Sequence, residues 1–239
     1  MKAGDVGFLP QVDIKWISII KYGGISALLI VCIIPLQLII FTLSPPPSTA
    51  VGFIELFHTN RLLGLLSLDF LYYVNNALLI VVYLGLFASL KELDFAKMSI
   101  ALFVGMIGIA AYYTSAVGFE MLSVSQQYYL TDSSEIRMQL ETVAIGLIER
   151  YKGTAFDVYY VFNAVTLLLF SVTMFRSPLY GKATAGWGLA SGVCMLIPST
   201  AGMIGMIFSI VSLLPWIVFS VLIARKQMAF VRQLAGYSS

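Results

Sequence analysis

The chain has 239 residues, of which 59% are hydrophobic and 11% charged, and its formal net charge is +2. Ordinary soluble domains carry roughly 25% charged residues. Together with a mean hydropathy of +0.92, this composition excludes a soluble enzyme with a conventional polar surface. The basic residues are scattered rather than clustered, which argues against a nucleic-acid partner. The composition therefore predicts an integral membrane protein embedded in a lipid bilayer.

Six apolar runs approach the length of about 20 residues that a bilayer-spanning helix needs. They lie at about 19–43, 64–90, 98–122, 154–175, 183–200 and 204–223. Pro45, Pro46 and Pro47 stop the first run, because consecutive prolines cannot continue a helix. We therefore predict an all-α fold, a polytopic bundle of six transmembrane helices that forms a single domain over residues 1–239.

Two shorter helices are predicted between the spans. In the segment 48–61, Ser48 or Thr49 can cap a short helix that carries Phe53 and Phe57, and this helix is too short to span. The longest connection, 123–153, contains Asp-Ser-Ser-Glu at 132–135, which matches a capping box. Apolar residues then recur at helical spacing as far as Tyr151. This pattern predicts an amphipathic helix at about 133–152 that lies outside the membrane.

The distribution of basic residues predicts the orientation. With both termini inside, ten Lys or Arg residues fall on the cytoplasmic side and four on the other. The cytoplasmic set is Lys2, Lys15, Lys21, Lys91, Lys97, Arg176, Lys182, Arg225, Lys226 and Arg232, and the opposite set is Arg61, Arg137, Arg150 and Lys152. Membrane proteins concentrate basic residues in cytoplasmic loops. We therefore expect a multi-pass cell-membrane protein with cytoplasmic N and C termini.

The second apolar run carries a polar stripe. Its members, Asp69, Tyr72, Tyr73 and Asn76, stand at i, i+3, i+4 and i+7, so a continuous helix would place them on one face. A carboxylate in hydrocarbon is costly unless it faces the protein interior or water. The stripe is therefore expected to point inward and to organise the bundle.

Two further acids, Glu120 and Asp157, are predicted at a similar depth on the third and fourth spans, near their outer ends. We expect an outward-facing polar pocket roofed by the helix at 133–152. Its candidate ligand-binding residues are His58, Arg61, Asp69, Tyr72, Tyr73, Asn76, Tyr113, Glu120, Asp157, Tyr160 and Asn163. A structural explanation stays open, because acids near helix ends can cap or reach the headgroups and tyrosines populate the membrane interface.

Three functions fit such a pocket. The first is binding of a cation or a small polar or amphipathic ligand by a transporter- or channel-like protein. The second is an intramembrane enzyme acting on a lipid, and the third is a structural or partner-binding membrane factor. One histidine and two isolated cysteines, Cys32 and Cys194, indicate no metal site, and no cofactor is expected. The lack of a recognisable nucleophile favours a non-enzymatic role. Six short helices would need homo-oligomerisation for alternating access.

The pattern also resembles a known family. The carrying segments are LLSLDFLYYVNNALLIVVYLGLFASLKE, YYTSAVGFEMLSVSQQY, MFRSPLYGKATAGWGLASGV and the closing IARKQ. Their order is similar to that in a bacterial and archaeal family of six-helix integral membrane proteins that is known only as a domain of unknown function. The most distinctive part is the turn at Arg176 and Ser177, which leads to Lys182 and a glycine-rich fifth helix. The resemblance implies a prokaryotic source and a six-span topology and implies no activity.

Overall fold

The computed structural model describes residues 14–237, with side chains from 15 to 234. The predicted cytoplasmic N-terminal segment with Lys2 lies outside the described residues. The described part is helical and contains no strand. A short 3₁₀ turn at Ile14–Trp16 precedes α1 (Ile17–Leu43), α2 (Ala50–Thr59), α3 (Arg61–Ser67), α4 (Phe70–Leu90), α5 (Phe95–Ser115), α6 (Gly118–Leu130), α7 (Ser134–Tyr151), α8 (Thr154–Met174), α9 (Gly181–Cys194) and α10 (Gly202–Tyr237). The predicted all-α class is therefore confirmed.

Five helical stretches are long and apolar enough to cross a membrane, and they indicate a multi-pass membrane protein. They are Ile17–Leu43, Phe70–Leu90, Phe95–Leu130, Ser134–Met174 and Gly202–Leu234. The fifth predicted span, 183–200, is replaced by the 14-residue helix α9. At 1.5 Å per residue α9 is about 21 Å long, which is less than the roughly 30 Å of a hydrocarbon core. Pro198 lies in the non-helical stretch that follows.

The helix ends follow from local sequence. Thr49, one of the two predicted caps, accepts a hydrogen bond from the backbone N–H of Gly52 at 3.1 Å and starts α2. Asn60 ends α2 and accepts from the N–H of Leu63 at 3.1 Å, which starts α3. At α7 the cap is Ser133 rather than Asp132, the first residue of the predicted capping box, and the Ser133 hydroxyl accepts from the N–H of Ile136. Each cap satisfies a donor that the first helical turn leaves without an intrahelical partner.

The chain divides into two compact units. The first unit comprises Met1–Val31, Ala77–Ile109 and Tyr160–Ser239, and the second comprises Cys32–Asn76 and Ala110–Tyr159. Helices α1, α4, α5 and α8 each contribute residues to both units.

The first unit contains close helix contacts at glycines. A Cβ on Gly23 would lie 3.1 Å from the Cα of Gly85, so α1 and α4 pack nearly backbone to backbone there. Beside them, Gln227 Nε2 donates to Tyr180 Oη at 2.8 Å, and that oxygen lies 2.6 Å from Ser89 Oγ. Ser89 itself donates to the carbonyl of Leu86, so the hydroxyl proton of Tyr180 is directed at Ser89. This buried polar chain joins α4, α10 and the residue that precedes α9.

The second unit surrounds a hydrophobic cluster of α2, α6 and α7. Its buried members are Ala50, Phe53, Ile54, Phe57, Leu68, Val117, Met121, Val124 and Ala144. Leu140, Leu147 and Tyr151 of α7 pack against this cluster, as their helical spacing predicts. A buried hydrogen bond from Ser125 Oγ to the carbonyl of Ile54, 2.6 Å long, links α6 to α2. The cluster fixes α6 and α7, which supply side chains to the candidate site.

Candidate functional site

The site begins where the second apolar run breaks. The predicted helix 64–90 is wrong at its start, because α3 ends at Ser67 and α4 begins at Phe70. Asp69 lies in the break with φ of +58°, a left-handed conformation that aspartate and asparagine tolerate better than most residues. Its N–H donates to the carbonyl of Leu66 at 3.3 Å, and its own carbonyl accepts from the N–H of Tyr72 at 2.8 Å. Asp69 is therefore a corner residue and not the first member of a helical stripe.

Tyrosines from two other helices hold Asp69. The Tyr151 hydroxyl donates to Asp69 Oδ2, and the Tyr112 hydroxyl donates to the Asp69 backbone carbonyl at 3.3 Å. Asp69 precedes the first residue of the span Phe70–Leu90. Burial raises the pKa of its carboxyl to about 6, and the hydrogen bond from Tyr151 acts in the opposite direction. These three residues, the Asp69 cluster, connect the helix break to α5 and α7.

A set of aromatic rings continues from the break along α4. Tyr73 is nearly parallel to two neighbours: its ring centroid lies 6.2 Å from that of Tyr113 and 6.3 Å from that of Phe119, with interplanar angles of 9° and 15°. Phe70 meets Tyr73 edge to face at 5.5 Å. The Tyr113 hydroxyl donates to the backbone carbonyl of Tyr73 at 2.9 Å, which fixes α5 against α4. These are the offset-parallel and T-shaped arrangements that aromatic pairs favour.

These rings line an open groove of about 670 Å³, which we call the aromatic groove. Ligand pockets in proteins typically measure about 300–1,000 Å³. The lining residues of the groove are Phe70, Tyr73, Tyr113, Ala116, Phe119, Glu120 and Ser123. They come from the start of α4, the end of α5, the α5–α6 connection and the first two turns of α6. The groove lies entirely within the second unit.

Glu120 is the ionisable acid of the groove. Its side chain is 48% exposed and its Oε1 lies 3.8 Å from Arg150 Nη1. Arg150 is anchored separately, because its Nε and Nη2 donate to the carbonyl of Thr114 at 3.0 and 2.6 Å. Ion pairs this exposed contribute about 0–1 kcal/mol, so the pair is easily exchanged for another partner. Arg150 thus attaches the end of α7 to the end of α5 and the first turn of α6, and Tyr151 attaches it to Asp69.

The structure brings together some of the predicted site residues. Tyr73, Tyr113 and Glu120 line the aromatic groove, and Asp69 lies in its own cluster. Asn76 is buried and donates from Nδ2 to the carbonyl of Tyr72 at 2.9 Å, and its Oδ1 has no hydrogen-bond partner among the described residues.

The other predicted residues take different positions. His58 is exposed and stacks on Tyr129 with 3.6 Å between ring centroids, and Arg61 is the exposed first residue of α3. Asp157 lies in the first turn of α8, where the helix dipole favours an acid. Two belong to the first unit and are bonded there: Tyr160 donates to Ser209 Oγ at 2.7 Å, and Asn163 accepts from Tyr83 at 2.6 Å.

Sequence reasoning missed several residues of the site. Phe70, Ala116, Phe119 and Ser123 are groove residues that the polar pattern gave no reason to choose. The helical spacing places Tyr151 only on the apolar face of its helix, although its hydroxyl also bonds Asp69. A useful signal was available at positions 112–119, where Tyr-Tyr is followed after a few small residues by Gly-Phe.

Among the described residues, no group of three or more His, Cys, Asp or Glu side chains is placed to hold a metal ion. Comparisons with protein-family models, curated proteins and solved structures find no match to this chain. The resemblance to a six-helix membrane family therefore stays a prediction.

Proposed function

We propose that this protein is a transporter- or channel-like membrane protein that binds a small amphipathic ligand in the aromatic groove. The observation that carries the proposal is the groove itself. It combines ring faces, the small side chain of Ala116 and one half-exposed carboxylate in a volume suited to a small molecule. Ligand sites are typically apolar cavities with a few placed polar groups, and the aromatic groove has this composition.

The proposal departs from the sequence-based hypothesis in the role of Asp69. A carboxyl that already accepts from Tyr151 and lies at a backbone corner is suited to holding α4, α5 and α7 together. We therefore assign ligand contact to Tyr73, Tyr113 and Glu120 and a positioning role to Asp69.

We further propose that the groove faces outward, with both termini in the cytoplasm. This orientation rests on the ten-to-four distribution of basic residues. The test uses single cysteines introduced at Gln139 in α7 and at Lys182 in α9, in a background without Cys32 and Cys194. A membrane-impermeant thiol reagent added to intact cells should label position 139 and leave position 182 unlabelled. The reverse pattern would place the groove on the cytoplasmic side.

Filling the groove tests the binding function. Ala116→Trp places an indole in the groove, whereas Ala110→Trp places one on the exposed surface of the neighbouring helix α5, outside the lining. Binding of the uncharged aromatic fluorophore N-phenyl-1-naphthylamine to the purified protein is measured by its fluorescence. We expect Ala116→Trp to weaken binding at least tenfold, which is about 1.4 kcal/mol, and Ala110→Trp to leave it unchanged. Equal binding by both variants and the wild type would refute the groove as the site.

A further inference from the structure

The side chains that line the aromatic groove all favour a ligand of the same charge sign. Its lining contains four aromatic rings and the carboxylate of Glu120, and it contains no basic side chain. The face of an aromatic ring carries negative electrostatic potential and attracts a cation within about 6 Å of the ring centroid. The Tyr73 ring is nearly parallel to the Phe119 ring, and it is still more nearly parallel to the Tyr113 ring. Ring faces and carboxylate therefore favour the same sign of ligand charge.

The same lining discriminates among cations. Ca²⁺ and Mg²⁺ need about six or more oxygen ligands, and the groove offers one carboxylate, two tyrosine hydroxyls and one serine hydroxyl. One of these hydroxyls, that of Tyr113, already donates to the Tyr73 carbonyl. An alkylated ammonium group needs no such oxygen cage, because its charge is spread over methyl groups that pack directly on ring faces. The groove thus suits an organic cation better than a metal ion.

We infer that the ligand of the aromatic groove is an alkylated ammonium cation, with its charged head between the ring faces and the Glu120 carboxylate. This inference rests on the proposed function of the groove. Arg150 lies 3.8 Å from Glu120 and is its present partner. Both side chains are about half exposed, so this pair contributes little and an incoming ammonium group can replace the guanidinium. Arg150 keeps its two hydrogen bonds to Thr114 when this happens.

The test compares choline with 3,3-dimethylbutan-1-ol, in which a carbon atom replaces the ammonium nitrogen. Each compound competes with N-phenyl-1-naphthylamine for the purified full-length protein. We expect choline to compete at least about tenfold better than the uncharged compound, because only choline gains the ring-face attraction. Glu120→Gln should narrow this ratio at least threefold. The control Glu55→Gln, an exposed glutamate on α2 outside the lining, should leave the ratio unchanged.

The outcomes separate the two proposals. If both compounds displace the fluorophore equally, the groove binds ligands and the ammonium inference is wrong. If the fluorophore never binds the groove, as judged by Ala116→Trp, the proposed function fails as well. If the Glu120→Gln protein is unstable, Phe119→Leu takes its place, because it removes an exposed ring face. Phe119→Leu must then narrow the advantage of choline over 3,3-dimethylbutan-1-ol, or the inference is wrong.

The ammonium group could belong to a lipid headgroup or to a soluble molecule. If the ammonium group belongs to a lipid headgroup, phosphatidylcholine nanodiscs already supply the ligand, and added choline should compete less well there than in nanodiscs of phosphatidylglycerol. Equal competition in the two membranes assigns the groove to a soluble ammonium compound. Both results support the inferred chemistry, and failure of choline to compete in either membrane overturns it.

Discussion

Replacing Tyr151 with phenylalanine removes the hydroxyl that donates to Asp69 Oδ2 and leaves the ring in the α7 packing. A hydrogen bond to a charged group contributes about 1.5–3 kcal/mol, and one between neutral groups contributes about 0.5–1.5 kcal/mol. The pKa of Asp69 is raised to about 6, so its carboxyl is ionised at pH 8 and protonated at pH 5. We therefore expect Tyr151→Phe to lower the free energy of unfolding more at pH 8 than at pH 5.

The sign of the pH dependence follows from the same values. Because burial raises the pKa of Asp69 in the folded protein above its ordinary value, the folded state holds the proton more tightly than the unfolded state. The contribution of Asp69 to stability is therefore greatest below pH 4 and is lost as the pH rises towards 6. The Tyr151 hydrogen bond lowers this pKa, so Tyr151→Phe should raise it further. A tenfold change in proton affinity corresponds to about 1.4 kcal/mol.

The assay is reversible unfolding of the purified protein by sodium dodecyl sulfate in mixed micelles, at both pH values. Asp69→Asn completes a double-mutant cycle, because asparagine keeps an acceptor and also tolerates the left-handed backbone. The control is Tyr128→Phe, which removes another hydroxyl that donates to a carboxylate, that of Glu141, at 2.8 Å. This control leaves Asp69 and Tyr151 bonded, so its stability should change between the two pH values as in the wild type. The reasoning is refuted if Tyr151→Phe lowers the free energy of unfolding equally at both pH values and shows no coupling to Asp69→Asn.

Two glycines should resist substitution because rings lie directly on them. A Cβ on Gly64 would lie 2.7–2.8 Å from three atoms of the buried Phe57 ring, so Gly64→Ala should lower the free energy of unfolding by about 1–3 kcal/mol. Gly105→Ala would place a Cβ 2.7 Å from Tyr83 Cε2, with a similar expected loss and disturbance of the buried hydrogen bond that Tyr83 donates. Gly146 on α7 has open space around it, and Gly146→Ala should instead stabilise the protein by up to about 1 kcal/mol. Unfolding free energies measured in mixed micelles check all three, and equal effects would contradict the packing explanation.

Features governed by local sequence could be predicted. The cap at Thr49, the apolar face of α7 and the apolar helices follow from the nearest neighbours along the chain. The helix within the fifth predicted span, 183–200, ends at Cys194, because hydropathy counts small residues as apolar without showing that Pro198 and its neighbours leave the helix.

The site depends on contacts that are distant in sequence. Residues 65–69 contain no proline or glycine that would predict the helix break at Asp69. The backbone conformation of Asp69 is stabilised by Tyr151, which is 82 residues away in the sequence. The stripe hypothesis assumed an unbroken helix and therefore misplaced Asp69. The pattern of polar side chains does not select Phe119, which has no polar group. Its ring nevertheless stacks with Tyr73 and lines the groove.

Photolabelling tests most directly whether the aromatic groove is the ligand site. An aryl-azide derivative of N-phenyl-1-naphthylamine is bound to the purified protein and irradiated, with and without excess N-phenyl-1-naphthylamine. The adducts on the protein are then mapped by mass spectrometry. We predict that competed adducts fall on Tyr73, Tyr113, Ala116 and Phe119. Adducts spread over exposed apolar helix surfaces such as Met203–Leu214, without competition and without excess in the groove, would contradict the account.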